Sequence, residues 1–141
     1  MPHLLDTTEL LIASWILSGD GDRIPTSQGV LDRALEVAVK DNACPDWVRD
    51  QLHFVDSRIG LQCVELPALL DWAQRAQLTT APNPSYQSTQ VQISDNAARR
   101  ILSDLNVTEE EAVTWGKLLR RIVDKASRSI TATAKPPIEE Y

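Results

Sequence analysis

Apolar residues fall at helical spacing over most of the chain, and the earliest cluster is the densest. Leu10, Leu11, Ile12, Trp15, Ile16 and Leu17 cover most of a helix circumference, the pattern of a helix buried inside a bundle or against a partner. Asp6-Thr7-Thr8-Glu9 reads as a capping box and predicts a helix over residues 7–17. Two glycines and two aspartates in Ser18-Gly19-Asp20-Gly21-Asp22 then favour a turn. In the second predicted helix Val30, Leu31, Ala34, Leu35 and Ala38 share one side, while Asp32, Arg33, Glu36 and Lys40 take the other. Pro45 suits the first turn of a short third helix ending near His53, with Trp47, Val48 and Leu52 inward. Between residues 58 and 64, Ile59, Leu61 and Cys63 alternate with Gly60, Gln62 and Val64, which is strand period. Pro67 opens a fourth helix through about Gln77, with Leu66, Leu69, Leu70, Ala73 and Ala76 turned inward.

The pattern changes after that. Residues 76–94 are nineteen consecutive positions without a formal charge, and Pro82 and Pro84 block regular structure at their start. Thr89, Val91 and Ile93 alternate with Gln90 and Gln92, so a short strand is expected there, paired with residues 58–64 in a two-stranded ribbon. Helical period returns over residues 95–105. Thr108-Glu109-Glu110-Glu111 is a second capping box, introducing a long last helix. The fold class is therefore mainly α: a helical domain with a short two-stranded β-element and a C-terminal helical pair. Four stretches follow, namely an acidic helical region at 1–78, an uncharged loop and strand at 79–93, the helical pair at 94–130 and a disordered tail at 131–141. No internal repeat is visible, and the sequence leaves open whether the pair packs on the first region.

Composition sets the scale and excludes some roles. The 141 residues are 43% hydrophobic and 24% charged, the size and balance of one globular domain with or without a small appendage. A formal charge of −6 argues against a surface that grips nucleic acid or anionic membrane as a whole, because phosphate binding needs Lys and Arg. The charge is uneven: residues 1–93 carry six basic and twelve acidic side chains, residues 94–141 eight of each. Asp6 and Glu9 occupy the place where a secretory signal needs positive charge, and the apolar run is less than half a membrane span, so a cytoplasmic location is expected. Cys44 and Cys63 are too few for a disulfide scaffold and are read as buried thiols.

Motifs for catalysis are few. Gly19 and Gly21 lead to Asp22 instead of a Lys-Ser/Thr pair, so they make no phosphate loop. Counted as a calcium loop from Asp20, the sixth position is Pro25 and the twelfth is Leu31, where Gly and Glu are required. The two histidines, His3 and His53, allow no His-rich metal site. Any catalytic imidazole would be His53, with Asp50 as its neighbour one helical turn away. That pairing also arises as an ordinary surface contact. No catalytic residue, metal or cofactor is assigned.

The most organised polar feature is on the last helix. Lys117, Arg121, Lys125 and Arg128 recur at i, i+4, i+8 and i+11 in one stripe, apart from the apolar stripe of Trp115, Leu118, Leu119, Ile122 and Ala126, with Arg120 to one side. Basic residues late in this helix and Glu109 to Glu111 at its start also suit the helix macrodipole, which is reason enough for a solvated face. A helix-turn-helix that reads DNA is the alternative use. It would present Glu109, Glu110 and Glu111 to the phosphates, and Leu102 is bulky where the two helices must approach. The sequence thus predicts a non-catalytic protein–protein interaction module, a small acidic adaptor, assembly factor or regulator. Lys117, Arg121, Lys125 and Arg128 would meet an acidic surface and Tyr86 would anchor the uncharged loop. The partner is another protein or a second copy of this chain. The other readings are a DNA-binding transcription regulator and a small hydrolase centred on His53.

Overall fold

The computed structural model describes residues 3–26, 29–58, 60–80 and 88–134, with side chains in the last helix as far as residue 126. Helix α1, Leu4–Leu17, lies at the centre, in contact with several other helices. Its apolar circumference explains that position: Leu10, Leu11, Ile12, Ala13 and Trp15 are all buried, together with Thr7, Thr8 and Ser14. The helix starts three residues before the expected place. Asp6 is in its first turn, where the carboxylate accepts from the His3 backbone N–H at 2.7 Å, so this acid reaches back to the cap position instead of being the cap.

Helix α2, Val30–Ala38, buries the five apolar residues expected of it. Helix α3, Asp46–Gln51, follows Pro45 and buries Val48, with Leu52 just beyond its end. Helix α4, Leu66–Arg75, buries Leu66, Leu69 and Ala73, while Ala76 lies outside it and is exposed. Helix α5, Asp95–Asp104, is capped by the Ser94 hydroxyl, which accepts from the Ala97 N–H at 3.1 Å. In the same way the Thr108 hydroxyl accepts from Glu111 N–H at 3.1 Å at the start of helix α6, Glu109–Ala134. The backbone of α6 stays helical four residues past the expected end at 130. Residues 135–141 of the expected tail lie outside the described residues. No helix among the described residues is long and apolar enough to cross a membrane.

Among the described residues four short strands make two antiparallel ribbons, not the single one expected. Strand β2, Phe54–Ser57, pairs with β3, Gly60–Cys63, as a hairpin. Gly60 has φ +110 at the turn, a conformation that glycine adopts without a Cβ clash. Strand β1, Arg23–Pro25, pairs with β4, Ser88–Gln90, in the register Ile24 to Thr89. The expected pairing of residues 58–64 with 89–93 loses to a neighbour in sequence, because closing a hairpin orders far less chain than bridging some thirty residues. On its other side the segment after β4 meets residues 78–80: Gln92 N–H donates to Leu78 C=O and Thr80 N–H to Gln90 C=O, both at 2.8 Å.

The two C-terminal helices settle the packing question. Helix α6 lies across α1 and α2, and α5 lies on α1, while α5 and α6 make few contacts with each other. Trp115 and Leu119 are fully buried, and the Trp115 indole donates to the Ala38 C=O at 2.9 Å, satisfying a carbonyl at the end of α2. The crossing of α6 over α1 is close enough that a Cβ on Gly116 would stand 2.2 Å from the Ser14 carbonyl oxygen.

Candidate functional site

The 3.6-residue period of α6 sends Trp115, Leu119, Val123 and Ala126 into the core and Lys117, Arg121 and Lys125 to solvent. These three cations therefore share one exposed side, as their spacing predicts. None of them has an ion pair among the described residues. The Arg128 side chain and Tyr86 lie outside the described residues.

Arg120, in the same run of basic residues, has a different place. Its guanidinium lies 4.6 Å from the centre of the Trp15 ring and donates to the Trp15 and Gly21 carbonyls and, at 3.1 Å, to the Ser18 hydroxyl. It closes the end of α1 and holds the glycine turn that follows. Burial lowers its pKa from the usual arginine value, and Asp20 acts in the opposite direction. The signal in the sequence is its position on the wheel, adjoining the apolar stripe. Gly116 carries a second signal, since a glycine inside a helix marks a close approach.

His53 is positioned by Glu65. One Glu65 oxygen accepts from the His53 backbone N–H and the other contacts Nδ1, both at 2.7 Å. Asp50, the neighbour expected from helical spacing, is not its partner, because α3 ends at Gln51 and the chain turns extended before His53. His53 and Glu65 instead meet at the base of the β2–β3 hairpin, where Val64 N–H donates to the His53 carbonyl at 2.8 Å. Cys63 Sγ is 4.0 Å from Glu65. Both thiols are free, and burial pushes Cys44 and Cys63 up to about 11, so each is protonated near neutral pH. No group of three His, Cys, Asp or Glu placed to hold a metal ion occurs among the described residues.

A concave feature escaped the sequence. An open groove of about 460 Å³ runs between α2, β3 and the start of α4. Val64, Leu66, Pro67 and Leu70 form apolar walls, and Gln62 and Asp32 add polar lining, one Asp32 carboxylate oxygen accepting from the Cys63 N–H at 2.7 Å. Asp32 reads as an ordinary polar-side residue of α2 in sequence, and only the fold brings the hairpin against it. Compared with known proteins, the chain matches no family model, no curated protein and no solved structure.

Proposed function

We propose that the chain is a non-catalytic protein–protein interaction module, a small adaptor, assembly factor or regulator that meets an acidic partner surface through α6. One observation carries the reading. Within a single helix the fold commits Arg120 to its own backbone and leaves Lys117, Arg121 and Lys125 exposed, with no ion pair among the described residues. A row of such cations at helical spacing steers an acidic partner and fixes its register. Protonated thiols and a histidine held by a carboxylate, with no nucleophile bonded to it among the described residues, support a binding role over catalysis. Two unpaired cysteines suit a reducing compartment, and the reading places the protein in the cytoplasm.

The exposed cations also favour a second reading, contact with DNA phosphates. Against it, the first turn of α6 offers Glu110 and Glu111 to solvent while Glu109 pairs with Arg99 at 2.9 Å, a poor start for a recognition helix. Affinity capture from native lysate, run with the natural chain and with Lys117→Glu/Arg121→Glu/Lys125→Glu, separates the two. The module reading expects a protein partner lost in the variant and no DNA binding at low salt. An unchanged partner set refutes the role of α6, and salt-sensitive DNA binding abolished by the same substitutions gives the regulator instead.

A further inference from the structure

The groove between α2, β3 and α4 has a chemistry of its own, distinct from α6. Its volume of about 460 Å³ lies within the range of clefts that hold a ligand group. Asp32 is its one charged lining residue among the described residues, half-buried, and no ion pair there compensates it. The bond from the Cys63 N–H holds the carboxylate in place while leaving acceptor capacity unused. The unused acceptor capacity of this carboxylate suits a cation entering the groove. The walls select the kind of cation. Val64, Leu66, Pro67 and Leu70 offer hydrocarbon, which suits a long methylene stem, and a metal ion would find a single carboxylate where it needs several oxygens. All of these elements lie in residues 1–93, where acidic side chains outnumber basic ones by twelve to six, so the surrounding field draws a basic segment toward the groove.

We infer that this groove receives a lysine or arginine side chain from an exposed segment of a partner protein, the stem lying on Val64, Pro67 and Leu70 and the charged head at Asp32. The inference rests on the module reading in taking the occupant to be protein, and it uses a surface separate from the basic side of α6. The test is an amide NMR titration of the full chain with the peptide acetyl-Ala-Ala-Lys-Ala-Ala-amide and with its norleucine counterpart. The lysine peptide is expected to shift the amides of Cys63, Val64 and Leu70 saturably and at least tenfold more tightly than the norleucine peptide. Asp32→Asn keeps an oxygen for the Cys63 N–H, removes the charge, and is expected to weaken the lysine peptide at least tenfold. Val64→Arg, at an exposed position, places a guanidinium in the groove from within the chain and is expected to block the peptide even if Asp32→Asn folds poorly. Lys117→Glu/Arg121→Glu/Lys125→Glu is expected to leave peptide binding unchanged. Equal shifts with both peptides, or binding undiminished in Asp32→Asn and Val64→Arg, would overturn the proposal while leaving the α6 capture result intact. Equally tight binding of putrescine at the same amides would overturn the assignment to a protein segment.

Discussion

Gly116 shows how one missing side chain sets a helix crossing. Alanine is favoured over glycine by about 1 kcal/mol in a helix interior. Here that gain is outweighed, since the added methyl would sit 2.2 Å from a backbone oxygen of α1 and backbone cannot step aside as a flexible side chain does. Overpacking of this kind costs about 1–3 kcal/mol and sometimes more, so Gly116→Ala is expected to lower unfolding free energy by about 2 kcal/mol in urea titration. Gln77 presents the reverse case. It ends α4 with φ 61, and Leu78 N–H donates to the Ala73 C=O at 2.9 Å in the arrangement usually closed by glycine. Gln77→Gly should therefore stabilise the fold by about 0.5–1 kcal/mol, the left-handed strain exceeding the entropy glycine adds to the unfolded chain. Glu9 on α1 has its pKa raised by burial first and then by Asp6 and Asp104. A carboxyl raised in the folded state favours folding while protonated and loses that contribution as pH climbs through its folded value. Glu9→Gln should then give a small rise in melting temperature at pH 7 that vanishes below the usual glutamate range, as followed by thermal melts across pH.

At the scale of elements, patterns that depend on one segment were legible and pairings between segments were not. The period of Val30, Leu31, Ala34, Leu35 and Ala38 defines a buried side whatever it packs against, and α2 buries all five. Strand alternation in residues 88–93 carries no information about a partner. Polar Ser88 and Thr89 are buried there beside β1, a strand of three residues too short to announce itself. The apolar α1 signalled burial, but which helices surround it is a matter of topology. Because α6 covers both α1 and α2, it is part of the core and not an optional module. Removing it would uncover the sites of Trp115, Leu119 and Val123, a loss of about 10 kcal/mol at a few kcal/mol per large buried side chain, comparable with the whole stability of a domain. A chain ending at Asn106 is expected to show no cooperative thermal transition by circular dichroism, and a sharp transition would mean that α1 to α5 fold without it.

At the scale of the molecule, charge and packing divide α6 between them. Lys117, Arg121 and Lys125 are exposed, so reversing all three should change stability by less than about 1 kcal/mol, as surface substitutions do. Stability measured alongside partner capture thus distinguishes a lost contact from a lost fold. The candidate surface was half legible: the exposed cations follow from helical spacing, whereas the internal role of Arg120 required knowing that the glycine turn after α1 lies within its reach. Glu65 against His53 and Asp32 against Cys63 were hidden for the same reason, each pair being joined by the β2–β3 hairpin and not by helical spacing. By itself the sequence determined the helical class, the ends of most helices, the buried side of α2, most of that of α4 and α6, and the acidic bias of residues 1–93, because periodicity, caps and charge are properties of neighbouring residues. Tertiary structure alone decided which strands pair, where α6 crosses α1 and which polar groups share a surface. Those outcomes depend on close approach between distant segments, and a linear pattern carries no distance between them.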